Sequence, residues 1–173
     1  RPRRAPSPPP TAPAAAPQPA EAPPVDDETF AAVTVLTPAE IEGQPAPNIG
    51  DVIAQRPGIA ASTFAPGASR PIIRGLDNYR VRIQENGIGT HDVSALSEDH
   101  AVPIDPFAAE RIEIIRGPAV LRYGSQAIGG VVDVSNGRIP DAVPDGGFSA
   151  VLKGGLNSVD RGHDGGFKVT AGA

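Results

Sequence analysis

The residues best suited to chemistry are two histidines that each stand beside a carboxylate. His91 precedes Asp92, and His100 follows Asp99. Imidazole nitrogens and carboxylate oxygens together form a common ligand set for Zn²⁺ and other divalent metals. An Asp–His dipeptide can equally stabilise a turn through the aspartate side chain. The pattern therefore predicts either part of a metal site or a structured loop.

Several other chemistries are excluded by residues and motifs that the sequence lacks. The 173 residues include no cysteine, which excludes disulfides, thiolate metal sites and thiol nucleophiles. There is no P-loop Gly-Lys-Ser/Thr, no His-Glu-x-x-His and no nucleophile elbow. The net charge of −5 argues against a general nucleic-acid binder. We expect a protein that is not an enzyme, holds no resident cofactor and binds no nucleic acid. A metal-assisted hydrolase using His91, Asp92 and His100 is the alternative, and the lack of a third histidine nearby disfavours it.

Proline and glycine divide the chain into two parts of different character. Ten of the 21 prolines fall within residues 1–24, whereas all 20 glycines lie after residue 42. Because proline restricts φ and supplies no backbone donor, residues 1–27 are predicted to form a disordered Pro/Ala-rich linker. A folded body is predicted over residues 28–140.

Capping residues predict two short helices near the start of this body. Thr37, Pro38 and Glu40 have the spacing of a capping box with proline at the first helical position. Asn48 can cap a second helix, and Pro57-Gly58 stops it.

Later in the body, short strands alternate with turns and single helical turns. Asp105-Pro106 predicts one or two helical turns through Ala109 and Arg111, and a further short helix is predicted to close at Gly124. Residues 91–105 are predicted to be a loop. Alternating or continuous apolar runs predict strands at residues 33–36, 72–73, 80–84, 112–115 and 131–134, and a turn at Asn86-Gly87.

Residues 141–173 have the pattern of a β-hairpin with one apolar and one polar face. Phe148, Ala150 and Leu152 alternate with Ser149 and Lys153, and a second alternating run ends near residue 171. Strands of about 9–11 residues with this alternation suit a membrane β-hairpin. A soluble hairpin packed on a core would show the same pattern, so both interpretations stay open.

Three longer runs resemble the plug-domain signature of TonB-dependent outer-membrane receptors. They extend from Ala109 to Val132, from Asn48 to Ile59, and from Pro71 to Gly75 with Arg80-Val81 and Glu85-Asn86-Gly87 following. In such receptors a barrel of about 22 strands encloses an N-terminal plug. The resemblance implies an α+β fold class: a small mixed α/β plug domain followed by the first β-hairpin of an outer-membrane β-barrel. The barrel would be incomplete in this chain, which we expect to be a fragment or a truncated product.

The resemblance also implies a function, a location and partners. A plug of this family gates active uptake of a metal ion or metal chelate, here zinc or a ferric siderophore, across the cell outer membrane. Its N-terminus is periplasmic and binds a TonB-type energy-coupling protein. The alternative is a soluble periplasmic module that binds a metal or a partner.

Three sets of site residues follow from the resemblance. The energy-coupling segment is expected at Glu28, Thr29, Phe30 and Val33. Arg74 and Arg116 are expected to face acidic residues of the barrel interior, with ion pairing inside the plug to Glu110, Glu113 or Asp133 as the alternative. The loop around residue 100 resembles the zinc-uptake branch of the family, which implies that Asp99 and His100 contact the metal, with His91 and Asp92 as possible additions.

Overall fold

The computed structural model describes residues 32–44, 46–62, 64–65, 67–91, 93–138, 143–158 and 161–172. The linker predicted at residues 1–27 lies outside these ranges, as do Glu28, Thr29, Phe30 and Asp92. The helices are α1 (Pro38–Glu42) and α2 (Ile49–Ile53). The strands are β1 (Ala32–Leu36), β2 (Ile59–Ala61), β3 (Pro71–Ile73), β4 (Val81–Glu85), β5 (Ile88–Gly89), β6 (Ala109–Arg116), β7 (Gly130–Asn136), β8 (Phe148–Asn157) and β9 (Gly162–Ala171). Short 3₁₀ turns connect them.

A five-stranded sheet organises the body of the protein. Its strand order is β1-β6-β7-β4-β5, in which β4 and β7 are parallel and the other neighbours are antiparallel. Two further antiparallel pairs are formed by β2 with β3 and by β8 with β9. The mixed α/β character predicted from the sequence is therefore confirmed.

The main core lies on one face of the five-stranded sheet. Apolar side chains of β1, β4, β6 and β7 pack there against α1, α2 and β3, and the largest fully buried ones are Leu36, Ile49, Ile53, Ile73, Ile112 and Ile114. Burial of each such side chain contributes about 1.5–3 kcal/mol. The other face carries a smaller cluster formed by Ile115, Val120, Ala127 and Val131. The sheet is thus covered fully on one face and in part on the other.

Both predicted helix starts are confirmed. The Glu40 carboxylate accepts hydrogen bonds from the backbone N–H of Thr37 at 2.9 Å and from its hydroxyl at 3.0 Å. Asn48 Oδ1 accepts from the backbone N–H of Asp51 at 3.1 Å. The Asn86-Gly87 turn is confirmed as well, with positive φ at both residues between β4 and β5.

The helical turns expected after Asp105 are shorter than predicted. Asp105 caps a single 3₁₀ turn, Pro106–Ala108, through a 2.9 Å bond to the backbone N–H of Phe107. Ala109 and Arg111 belong to β6, because the alternating apolar run that follows pairs with β7. The predicted loop over residues 91–105 contains one 3₁₀ turn, Val93–Ala95.

Strands β8 and β9 form the predicted hairpin. Ten residue pairs join them, from Phe148 with Ala171 to Asn157 with Gly162. Among the described residues, no helix has both the length and the apolar character needed to cross a bilayer.

Candidate functional site

The loop at residues 91–105 is anchored to the body near both ends, and its tip is exposed. Near its start, the hydroxyl of Ser94 is buried and hydrogen-bonded to the guanidinium of Arg70. Near its end, Val102 and Ile104 are buried in the main core. Residues 98–101 between these anchors are exposed. The loop therefore presents a fixed but solvent-accessible tip.

The tip holds Asp99 and His100 in one local hydrogen-bonded group. Asp99 Oδ1 lies 2.8 Å from His100 Nδ1 and also accepts a hydrogen bond from the Ser97 hydroxyl. These bonds, first that from Ser97 and then that from His100, lower the pKa of the Asp99 carboxyl below its ordinary value. Both the aspartate and the histidine are 53% exposed. The pair is therefore reachable from solvent and partly engaged in closing its own turn.

Among the described residues, His91 does not complete this pair. His91 is exposed at the start of the loop, and Asp92 lies outside the described residues. Within the described part of the chain, no three His, Asp or Glu side chains converge to hold a metal ion. Metal contact by Asp99, His100, His91 and Asp92 thus stays a prediction.

The two arginines expected at a barrel wall occupy different environments. Arg116 donates to the Pro57 carbonyl at 2.9 Å and to the Thr34 hydroxyl at 2.6 Å, so it ties β1 and β6 to the turn before β2. The Arg74 side chain is exposed, and its guanidinium has neither a hydrogen bond nor an ion pair with the described residues; only its backbone N–H is bonded, to the Gly58 carbonyl at 3.1 Å. Contact of either arginine with a barrel wall stays a prediction.

The carboxylates considered as alternative partners of Arg116 are engaged elsewhere. Glu110 pairs with Lys168 at 2.5 Å, and Glu113 pairs with Arg111 at 2.5 Å. Asp133 accepts from the Gln84 amide at 2.7 Å and from the backbone N–H of Gly87 at 3.3 Å. Among the described residues, Arg116 is therefore held by a carbonyl and a hydroxyl rather than by an acid.

One end of the expected energy-coupling segment belongs to the sheet. Val33 lies in β1, where it pairs with Ile115 of β6 and packs on the smaller core cluster. Strand β1 is an edge strand of the sheet. The assignment of Glu28, Thr29, Phe30 and Val33 to energy coupling stays a prediction.

A buried arginine that the sequence reasoning missed organises the loops around the candidate site. Arg70 is 3% exposed. Its backbone N–H donates to the Ser62 hydroxyl at 2.9 Å, and its guanidinium contacts the Asn78 carbonyl and Ser94. A surface cleft of about 320 Å³ lies beside it, lined by Pro47, Asp51, Ser62, Phe64, Ala65, Gly67 and Ser69. A sequence pattern gives no signal for this role, because burial of Arg70 depends on loops 8 and 24 positions away.

The fold and these loops define a small mixed α/β domain that carries a β-hairpin at its C-terminal end. The family model for the TonB-dependent Receptor Plug Domain matches residues 26–131, which is more than half of the chain. The chain therefore belongs to the family of TonB-dependent receptor plug domains, as the sequence resemblance predicted.

Individual relatives are transporters and receptors of greater length. The vitamin B12 transporter BtuB of Vibrio vulnificus strain CMCP6 is 33% identical over 109 residues, which cover 62% of this chain and 18% of that relative. The siderophore receptor PirA from Pseudomonas aeruginosa superposes with a TM-score of 0.51 at 27% identity, over 69% of this chain and 20% of that one. The copper transporter OprC shares the fold, with a TM-score of 0.62 at 21% identity, over 81% of this chain and 21% of that one. The chain thus spans about a fifth of the length of these proteins.

Proposed function

We propose that this chain is the N-terminal part of a TonB-dependent outer-membrane receptor, in which it forms the plug that gates active uptake of a small ligand. The plug would lie inside a barrel whose first hairpin is β8–β9. Its N-terminus would face the periplasm and bind a TonB-type coupling protein. Family membership supports the class, and the hairpin supports the location.

The observation that carries this proposal is the division of the hairpin into two unlike faces. Five large apolar side chains on one face are between 56% and 92% exposed: Phe148, Leu152, Leu156, Phe167 and Val169. The opposite face carries Lys153 and Lys168, both of which contact the plug body. Two paired strands of ten residues match the length that crosses a bilayer, about 9–11 residues. An apolar face turned away from the plug suits lipid, and a polar face turned toward it suits a barrel lumen.

We propose a metal chelate as the ligand in preference to a free metal ion. The relatives named for vitamin B12 and for a siderophore support this class. The exposed Asp99–His100 pair would supply polar contacts to such a ligand, with His91 and Asp92 as neighbours in the same loop. A free zinc ion is the second candidate, and it would need further ligands from outside the described residues.

Uptake by the full-length receptor tests the proposal. In a receptor-deficient Gram-negative host, we expect it to support uptake of vitamin B12 or a ferric siderophore only when the coupling protein is present. Phe30→Pro should abolish uptake but retain surface binding, because proline removes a backbone donor needed for strand addition. Val33→Pro is a poorer test, since Val33 also pairs within the sheet. Uptake that continues without the coupling protein would contradict the proposal.

Ligand contact at the loop tip has a separate test. The double variant Asp99→Ala with His100→Ala should weaken binding of the transported ligand by the full-length receptor, measured by calorimetry. Glu98→Ala is the matched control, because it removes a neighbouring exposed carboxylate from the same loop. Zinc, vitamin B12 and a ferric siderophore are compared as ligands. Equal affinity in the double variant and the parent would reduce Asp99 and His100 to residues that only close a turn.

A further inference from the structure

The chain has two lysines, Lys153 and Lys168, and both lie in the hairpin. They stand on the same face, because Lys153 pairs across the strands with Gly166 and Lys168 pairs with Val151. The remaining 13 basic residues are all arginines. The placement of the lysines on one hairpin face is therefore a distinct feature of this chain.

Each lysine reaches a different element of the plug body. Lys153 Nζ lies 3.0 Å from Glu42 Oε1 at the end of α1. Lys168 Nζ lies 2.5 Å from Glu110 Oε1 near the start of β6. The Lys153 ammonium also lies 5.0 Å from the centre of the Phe107 ring, within the range of a cation–π contact. The hairpin is thus held at two separated points.

Glycines make room for both contacts. A Cβ atom added at Gly166 would lie 2.8 Å from Cζ of Phe107, so the ring packs directly on the backbone of β9. A Cβ added at Gly137 would overlap the Glu110 carboxylate and would lie 2.4 Å from Lys168 Nζ. The neighbouring Gly165 is different, since its added Cβ would meet only the Lys153 carbonyl oxygen, at an ordinary 3.7 Å. The ion pairs and the space left by the glycines therefore lie on the same face of the hairpin.

We propose that this face of the hairpin is a docking surface for the plug body, and that Lys153 and Lys168 act as a two-point clamp. The clamp holds α1 and the start of β6 against the hairpin and turns the apolar strand face outward. Each ion pair is half-exposed and therefore weak alone. Two weak pairs and one ring contact together hold the plug body to the hairpin at separated points. This role is additional to the receptor function and concerns how the plug is seated.

Zero-length carbodiimide coupling tests the clamp on the intact purified protein, without ligand or coupling protein. The reagent joins a carboxylate to an amine that it contacts, and peptide mapping identifies the linked residues. We expect Glu42–Lys153 and Glu110–Lys168 links. Glu42→Gln should remove only the first link, and Glu110→Gln only the second. Lysines that couple mainly to other carboxylates, or to none, would overturn the proposal.

A pair of glycine variants tests the shape of the surface. Gly166→Val should displace Phe107, with loss of the Glu42–Lys153 link and faster amide hydrogen exchange in α1. Gly165→Val places the same side chain on the opposite face and should leave both unchanged. If Gly166→Val does not fold, the swap Glu42→Lys with Lys153→Glu serves instead, and it should restore a link that either single change abolishes. A full link in Gly166→Val, or no link in the swap, would refute the clamp.

These outcomes are independent of uptake. Absence of both links in a receptor that still transports would remove the clamp and retain the proposed function. Formation of both links in a protein that does not transport would retain the clamp and remove the proposed function.

Discussion

At the scale of residues, arginine and lysine serve different parts of this protein. Arg70 and Arg116 lie within the plug body, where their guanidinium groups each join two segments through fixed hydrogen bonds. Such bonds use the planar, multidentate geometry of guanidinium. Lys153 and Lys168 instead each make one ion pair across to the body from the hairpin. The two arginines thus join segments inside the plug, and the two lysines join the plug to the hairpin.

The Glu40 cap gives a pH-dependent prediction at this scale. The bond from the Thr37 backbone, and next that from its hydroxyl, lower the pKa of Glu40 below its ordinary value of 4.5. A lowered folded-state pKa means that the cap stabilises α1 fully above pH 4.5, and that this contribution disappears as the pH falls through the lower, folded-state value. The protection factor of the Thr37 amide, which is its intrinsic exchange rate divided by the rate measured by NMR at each pH, should fall on acidification. Glu40→Gln should remove the pH dependence, and an unchanged profile in that variant would contradict the role of the carboxylate.

At the scale of elements, the sequence predicts those features that depend on contacts between residues close together in the chain. The caps at Thr37 and Asn48 and the turn at Asn86-Gly87 depend on contacts within three residues, and all three are as expected. The predicted extent of the helical turns after Asp105 is wrong, because pairing of β6 with β7 overrides the helical preference of Ala109. The parallel pairing of β4 with β7 joins residues 49 positions apart, and no local pattern specifies such a partner.

In the candidate site, too, the local features were predictable from the sequence and the long-range contacts were not. The loop that carries Asp99 and His100 was recognisable from its polar residues, and the structure places the two side chains in contact. The anchoring of this loop by Arg70 was not recognisable, since a buried arginine has no periodic signal. The pairing of both lysines with the body was missed for a similar reason, because it depends on which hairpin face meets the sheet.

Attachment of the edge strand β1 gives a prediction for Arg116. Arg116→Gln removes the bonds to Thr34 and Pro57, and loss of bonds to a charged group should cost about 1.5–3 kcal/mol. We expect faster amide exchange over β1, measured on the intact protein by mass spectrometry. Arg74→Gln is the matched control, because the Arg74 guanidinium is exposed and has no partner among the described residues. Equal exchange in the two variants would show that Arg116 does not hold β1.

At the scale of the whole molecule, the described part of the chain includes an apolar surface that points away from the core. The outward face of β8–β9 is large and continuous, and such surfaces in proteins normally meet a partner or a lipid phase. The inward face is tied to α1 and β6. In the proposed function, the hairpin would separate two environments: the lipid of the outer membrane on one side and the plug within a lumen on the other.

Quenching of a single fluorescent label in reconstituted membranes measures which face of the hairpin contacts lipid. The chain contains no cysteine, so Leu152→Cys and Val151→Cys can each introduce one labelling position in this segment, on opposite faces of β8. We predict that a lipid-soluble nitroxide quenches the label at position 152 strongly and the label at position 151 weakly. Equal quenching at the two positions, or quenching of the label at position 152 by a water-soluble agent only, would show that the apolar face does not lie in lipid.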